Sequence, residues 1–234
     1  MSLFRKRSPQ PLPPDAELPY HPIRSNFMEL FLSNFKLIPF FLPSIVLLLS
    51  FLITGALLYL VSGLLMLIPA APAVTAMYDY GYQLTREVPK HERRGFFKSY
   101  RMNFIQSAAT MAIQLPIWAM LLIILIAGTE RPAVITLCVV LGCLMLLAFS
   151  VLAFSQIALV NLPLGKIWKN AVMLIPLCPL QALGTALAQL LCLWMLYRYI
   201  AVTFLLFLFG GPALLIVWSA KTLWPRLEEL LLDT

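Results

Sequence analysis

Few residues in this chain have side chains and spacing suited to chemistry, and the most unusual of them is Asp79. This carboxylate follows the apolar stretch at 72–77 and has Tyr78, Tyr80 and Tyr82 around it. Ionisable groups are rare inside membrane segments, where they bind ions, substrates or partner charges. Tyrosine, in contrast, is enriched where a chain leaves the bilayer for water. Asp79 therefore has two interpretations, and the topology of the chain must decide between them.

Groups for covalent or acid–base catalysis do not form a recognisable motif. His21 and His91 are far apart in the chain, and neither belongs to a triad-like pattern. No phosphate-binding loop, zinc-protease motif or hydrolase nucleophile motif occurs in the sequence. The cysteines lie in apolar segments without CxxC spacing or a neighbouring histidine, which favours buried thiols over a metal or redox site. We therefore expect a non-enzymatic protein with no metal and no cofactor.

Composition places the chain among membrane proteins. Of its 234 residues, 61% are hydrophobic and 12% are charged, and the mean hydropathy is +0.89. Soluble domains average about 25% charged residues, and several stretches here exceed the roughly 20 apolar residues that cross a bilayer. The sequence predicts an all-α, polytopic transmembrane helix bundle with five to six membrane segments, one of them short or re-entrant.

The domain organisation follows from where the apolar stretches begin. Residues 1–26 are polar and rich in proline, which predicts a disordered arm. This arm lacks the apolar core of a cleavable signal peptide, so we expect none there. Residues 27–234 are expected to form a single transmembrane helical domain. An amphipathic lead-in at 26–41 precedes membrane segments predicted at 44–68, about 103–128, about 133–160, about 180–197 and about 201–220.

The positive charges predict the orientation. Six lysines and arginines lie between positions 86 and 101, whereas the connection around Glu130 and the one around Arg198 are poor in cations. Because cytoplasmic connections carry the excess of Lys and Arg, we expect 86–101, 161–177 and both termini in the cytoplasm. The six cations are Arg86, Lys90, Arg93, Arg94, Lys98 and Arg101.

This orientation constrains the first part of the chain. If residues 36 and 86 both lie inside, the chain must cross the membrane and return between them. We favour one span over 44–68, followed by a short or re-entrant helix that begins at Pro72, a residue suited to a first helical turn. The alternative divides 37–84 near Gly55 into two short spans that are kinked at the prolines.

The segments "IPAAPAVTAMYDYGYQLTRE" and "FFKSYRMNFIQS" resemble the YesL family of bacterial membrane proteins. The shared features are a proline break, a short Ala-rich helix with a central aromatic residue, and a Phe-rich basic segment with an Asn and a Gln. The later segments "KNAVMLIP" and "WPRLEELL" are also similar to family segments. The matching positions are Pro72, Ala73, Ala76, Tyr78, Arg86, Phe96, Phe97, Lys98, Asn103 and Gln106.

The resemblance implies an accessory or regulatory role, because members of the family often accompany carbohydrate ABC-uptake systems. We expect a non-enzymatic accessory factor in the bacterial cytoplasmic membrane, with an ABC permease as its partner. The alternative is a small solute transporter or channel subunit, which the proline-interrupted helices favour. Anionic lipid headgroups are expected partners of the basic segment, nucleic acid is not, and a homo-oligomer stays open.

Two interpretations of Asp79 remain at this point. It is either an interfacial carboxylate that pairs with Arg86 or another loop cation, or a deeper group that binds a partner helix or a cation. The basic segment either only fixes the topology or binds a partner or lipid. The candidate interaction or lipid-facing residues are Asp79, Arg86, Lys90, Arg93, Arg94, Lys98, Arg101, Asn103 and Gln106.

Overall fold

The computed structural model describes residues 35–85, 94–126, 133–160, 162–177, 179–198 and 224. The regular elements within these ranges are all α-helices, so the all-α prediction is confirmed for them. The predicted arm at 1–26 and the predicted span at 201–220 lie outside the described residues. The helices are α1 (Ile38–Thr54), α2 (Leu57–Leu65), α3 (Leu67–Thr85), α4 (Phe96–Ile126), α5 (Ala133–Leu159), α6 (Leu164–Leu177) and α7 (Pro179–Arg198).

The chain reverses direction at Gly55. This residue ends α1 with a φ of 69°, and its N–H donates to the Phe51 carbonyl at 2.7 Å. The left-handed conformation suits glycine, which has no Cβ to meet the neighbouring carbonyl. The Ser44 hydroxyl then donates to the Gly63 carbonyl at 2.7 Å, which ties α1 to α2. The favoured single span over 44–68 is therefore wrong. The alternative is correct in the break near Gly55, but the second part is not a short span, since Leu57–Leu84 has 28 residues.

Helices α2 and α3 run on as one apolar helix, Leu57–Leu84, of 28 residues. The first part ends at Leu65, four residues before Pro69, because a proline ring crowds the carbonyl of the residue four positions earlier. Pro72 lies inside α3 rather than at its start. The predicted short or re-entrant helix beginning at Pro72 is thus wrong, and its residues continue a helix that is long enough to cross a membrane.

The described residues contain three helices that are long and apolar enough to span a membrane. A fourth span results if α6 and α7, which are bent by 95° relative to each other, are counted as one broken span. The apolar part of α1 is shorter, at Ile38–Phe51. These helices indicate a membrane protein, whereas the total of five to six segments stays a prediction. The spans are Leu57–Leu84, Phe96–Leu121 and Ala133–Leu159.

Helix α4 has its polar side chains inside and its apolar side chains outside. Ser99, Asn103 and Ser107 are buried, whereas Phe97 and Ile105 are exposed. This distribution is the reverse of a surface helix in water, and it fits a helix whose outer face meets lipid. The largest cluster of buried apolar side chains lies on the inner faces of α3, α5, α6 and α7.

Two of the cysteines are within the described residues, both on α5. Cys138 is exposed and Cys143 is half-buried, and both are free thiols. The expectation of buried thiols is therefore wrong for Cys138, because an apolar residue on a spanning helix is as well placed against lipid as inside the bundle. Cys178 lies outside the described residues, as does the side chain of Cys192.

Candidate functional site

Asp79 is buried at the end of α3, where two side chains donate hydrogen bonds to its carboxylate. The Ser99 hydroxyl donates to Oδ2 at 2.5 Å, and the Gln83 amide donates to Oδ1 at 3.2 Å. Arg94 Nη1 lies 3.8 Å from Oδ2 and supplies a compensating positive charge. A buried carboxylate is stable when it is both paired and hydrogen-bonded, and Asp79 meets both conditions.

The sequence builds this cluster from two helical turns and one short connection. Asp79 and Gln83 are four residues apart on α3, so they occupy the same face. The Gln83 carbonyl oxygen also accepts the backbone N–H of Arg94 at 2.5 Å, just before α4 begins. Ser99 then lies in the first turn of α4, with its own N–H donating to Gly95. We call Asp79, Gln83, Arg94 and Ser99 the Asp79 cluster.

A line of polar side chains continues from this cluster along α4. The residues are spaced by four, four, three and four positions and are all buried. At 3.6 residues per turn they fall within about 80° of one helix face, and they extend over about 22 Å of the axis. We call them the α4 polar stripe: Ser99, Asn103, Ser107, Thr110 and Gln114.

Three neighbouring helices bond to the stripe. The Thr75 hydroxyl of α3 and the Ser107 hydroxyl share a hydrogen bond of 2.7 Å. The Trp168 indole of α6 donates to Thr110 at 3.1 Å. At the far end, the Ser150 hydroxyl of α5 donates to Gln114 Oε1 at 2.5 Å. The stripe therefore faces protein along its whole length.

Several buried polar atoms on α4 and α5 have no hydrogen-bond partner among the described residues. On the stripe itself they are Asn103 Oδ1 and Gln114 Nε2. On α5 they are the hydroxyl of Ser155 and both amide atoms of Gln156, and both of these residues are fully buried. Buried polar groups in native proteins almost always have partners, and these atoms have none among the described residues.

The same end of α3 collects contacts from other parts of the chain. Lys36 Nζ lies 5.2 Å from the centre of the Tyr80 ring, a cation–π contact. The Trp224 ring packs edge-on against Tyr78 and Tyr82, with centroid distances of 6.2 and 5.7 Å. Trp224 is only 2% exposed. We call Lys36, Tyr78, Tyr80, Tyr82 and Trp224 the aromatic junction.

The structure assigns different surroundings to the residues that were predicted as interaction sites. Lys98 and Arg101 are exposed, beside the exposed ring of Phe97. Arg94 is half-buried against Asp79. The predictions for Arg86, Lys90 and Arg93 fall outside the described residues.

The two polar candidates on α4 lie inside the bundle. Asn103 is 2% exposed, and Gln106 is half-buried with its amide donating to the Leu162 carbonyl at 3.1 Å. The loop cation beside Asp79 is Arg94, and the carboxylate is buried within the protein. No group of three or more His, Cys, Asp or Glu residues that could hold a metal forms within the described ranges.

Sequence reasoning missed Ser99, Gln83 and Thr75, which complete the polar interface of α3 and α4. The available signal was their spacing, since Thr75, Asp79 and Gln83 are four residues apart on one helix face. It also missed Trp224, whose contact with Tyr78 no local pattern predicts. No protein-family model, curated protein or solved structure matches this chain.

Proposed function

We propose that this protein is a non-enzymatic accessory or regulatory factor of YesL type, working with a carbohydrate ABC-uptake system in the bacterial cytoplasmic membrane. The link to carbohydrate uptake rests on the resemblance of residues 69–107 to the YesL family. The apolar helices support the membrane location. The charge distribution supports a cytoplasmic position for the Asp79 cluster and both termini.

The observation that carries a regulatory role is the convergence of separate segments on the last turns of α3. Asp79 contacts Arg94 and Ser99 at the start of α4, while Tyr80 contacts Lys36. Trp224 packs on the same turns of the helix. A partner that displaces one of these segments changes the environment of the others, which is how a membrane factor transmits a binding event.

An exposed basic and aromatic surface at the start of α4 supports contact with lipid headgroups or with a permease. Lys98 and Arg101 are exposed, as are the neighbouring rings of Phe97 and Phe104. A cation beside an anionic membrane surface contributes about 1 kcal/mol. Because the Asp79 carboxylate is already bound to protein groups, this surface is the part of the site open to a partner.

The test is isolation of the tagged protein from native membranes, followed by identification of co-isolated permease subunits. We expect an ABC permease with the parent protein, loss of the permease with Asp79→Asn, and full retention with the lipid-facing control Cys138→Ala. Growth on carbohydrates should be reduced for Asp79→Asn and equal to the parent for Cys138→Ala. Unchanged permease retention and unchanged growth for Asp79→Asn would exclude this role for the cluster.

The unpartnered polar atoms on α4 and α5 favour a second candidate, a small solute transporter or channel subunit. Polar groups inside a membrane bundle mark substrate and ion pathways. Liposomes that contain only this protein separate the two candidates. Solute flux by the protein alone would contradict the accessory role and support the transporter, whereas liposomes without flux, together with permease co-isolation, would support the accessory role.

A further inference from the structure

Helix α6 begins with two exposed lysines that no other part of the site uses. Lys166 and Lys169 lie in its first two turns, and both side chains are exposed. They are three residues apart, so they are neighbours on the helix surface. Asp79 is the only acidic residue within the described ranges, and it pairs with Arg94. The two lysines therefore have no acidic partner in that part of the chain.

Two hydrogen bonds fix the position of α6 along α4. The Gln106 amide donates to the Leu162 carbonyl at 3.1 Å, just before α6 begins. The Trp168 indole donates to the Thr110 hydroxyl at 3.1 Å. Gln106 is five residues after the exposed cation Arg101, which corresponds to about 8 Å of helix. The start of α6 therefore lies near the same end of the bundle as the basic surface of α4.

The exposed face of α6 changes from basic to apolar along its length. After the two lysines it continues with Val172, Met173 and Leu177, which are all exposed. Ile167 and Ala171 lie on the opposite face and are fully buried in the bundle. Helix α6 is therefore fixed to the protein by one face, and its other face presents positive charge followed by apolar surface.

A phospholipid has the same order of groups, with an anionic phosphate above apolar acyl chains. The protein has helices that can span a membrane, so the exposed apolar side chains of α6 are suited to acyl chains. Lysine carries its charge on a flexible apolar stem, which lets it reach a phosphate from the edge of the hydrocarbon. A soluble acidic protein would contact the lysines but not the apolar residues within the membrane. The order of groups therefore favours a lipid.

We propose that the start of α6 binds an anionic phospholipid, with the phosphate between Lys166 and Lys169 and the acyl chains along Val172 and Met173. This surface lies on a different helix from the basic surface of α4 that the proposed function uses. Lipid binding here does not require a permease, so it is independent of the proposed function. Failure to co-isolate a permease leaves this inference intact, and the absence of lipid binding leaves co-isolation unaffected.

The experiment uses the full chain with Met173→p-benzoylphenylalanine, a photoreactive residue on the exposed face of α6. The purified protein, in mild detergent at about 0.15 M ionic strength, receives phosphatidylglycerol or phosphatidylcholine with identical acyl chains. Mass spectrometry measures the crosslinked lipid at increasing lipid concentration. Lys166→Gln/Lys169→Gln removes two charges from α6, and Lys166→Arg/Lys169→Arg keeps them. Lys98→Gln/Arg101→Gln is the matched control, because it removes the same charge from α4.

Phosphatidylglycerol should crosslink at a lower concentration than phosphatidylcholine. A cation beside anionic lipid contributes about a factor of five in affinity. Lys166→Gln/Lys169→Gln should therefore raise the half-saturating phosphatidylglycerol concentration about twentyfold. The α4 control should stay within about twofold of the parent, since charges more than about 8 Å apart are largely screened at this ionic strength. The arginine pair should also stay within about twofold, because it keeps both charges.

Four results would overturn the proposal. Equal crosslinking of both lipids would show contact with acyl chains without recognition of the headgroup. An equal loss in the glutamine variants of α6 and α4 would show a response to total charge rather than to a site on α6. Loss of crosslinking in the arginine pair would show that positive charge is not what binds. In native membranes, a crosslink from position 173 to a protein instead of phospholipid would assign this face to a protein partner.

Discussion

The buried carboxylate of Asp79 has donors from three residues around it. Ser99 and Gln83 donate hydrogen bonds, and Arg94 adds a positive charge at 3.8 Å. The 35% exposure of the Arg94 side chain lets the ion pair reach solvent on one side, which lowers the desolvation cost. Asp79 thus joins α3 to the start of α4.

Ser99→Ala should lower the free energy of unfolding by about 1–2 kcal/mol, because it removes a hydrogen bond to a buried carboxylate. The measurement is unfolding of the purified protein in mild detergent with increasing sodium dodecyl sulfate. Ser50→Ala is the matched control, since the Ser50 hydroxyl donates only to the Val46 carbonyl of its own helix. Equal stability of Ser99→Ala and the control would contradict a stabilising role for the Asp79 cluster.

The ion pair between Asp79 and a nearby loop cation could be predicted from the sequence, but its burial could not. Arg94 lies nine residues after the end of α3 at Thr85, within a cluster of cations, so electrostatics suggests a pair with one of them. Burial depends on α4 covering α3, and Ser99 belongs to that second helix. The identity of a donor on another helix depends on packing, which residue types near Asp79 do not encode.

At the scale of elements, α1 and α2 approach closely because Gly63 has no side chain. A Cβ placed on Gly63 would lie 2.9 Å from Leu48 Cγ, closer than such atoms pack. The Ser44 bond to the Gly63 carbonyl uses the same close approach. Small residues allow this kind of helix contact in membranes, where no hydrophobic force holds helices together.

Gly63→Ala should destabilise the protein by about 1–3 kcal/mol through overpacking against Leu48. Leu48→Ala in the same chain should recover a large part of this loss, with a coupling energy of about 1 kcal/mol or more in a double-mutant cycle. The free energies of unfolding of the two single variants and the double variant are measured in the same detergent and sodium dodecyl sulfate mixture as for Ser99→Ala. Gly184→Ala is the control, because a Cβ there meets no atom within 4 Å. Additive effects of Gly63→Ala and Leu48→Ala on the free energy of unfolding would refute the close contact between these two residues.

The elements themselves were partly predictable. Apolar length alone indicated the helix at Ala133–Leu159, whose predicted range of 133–160 matches the structure. The break near Gly55 was only the alternative prediction, because Gly55 is one glycine inside a continuous apolar stretch and Pro69 and Pro72 are more obvious breaks. Proline disturbs a helix only where the crowded carbonyl cannot adjust, and α3 accommodates Pro72 without ending.

At the scale of the whole molecule, the described part of α4 turns most of its uncharged polar side chains toward the other helices and several large apolar side chains outward. The α4 polar stripe faces α3, α5 and α6, while Ile105 and Phe97 on the other face of α4 are exposed. The Gly55 turn and Lys98 lie toward opposite ends of the Leu57–Leu84 helix, since Asp79 near its C-terminal end contacts Ser99. The orientation of the bundle in the membrane can therefore be measured at two positions, Ala56 beside the Gly55 turn and Lys98 at the opposite end.

In a chain without native cysteines, Ala56→Cys should react with an impermeant maleimide on intact cells. Lys98→Cys should react only after the cells are permeabilised, because the positive-inside rule places it in the cytoplasm. Labelling yields before and after permeabilisation measure the orientation. Labelling of Lys98→Cys on intact cells would show the opposite orientation. The cysteine-free chain without an introduced cysteine gives the background labelling. The native cysteines to be replaced with alanine are Cys138, Cys143, Cys178 and Cys192.

The buried ring of Trp224 has a consequence for biosynthesis. Tyr78 and Tyr82 emerge from the ribosome early, but the ring that covers them is synthesised more than a hundred residues later. Until then, both tyrosine rings lack their edge-on contact with Trp224. A nascent chain released before residue 224 never forms this contact, so the packing of the last turns of α3 is completed only at a late stage of synthesis.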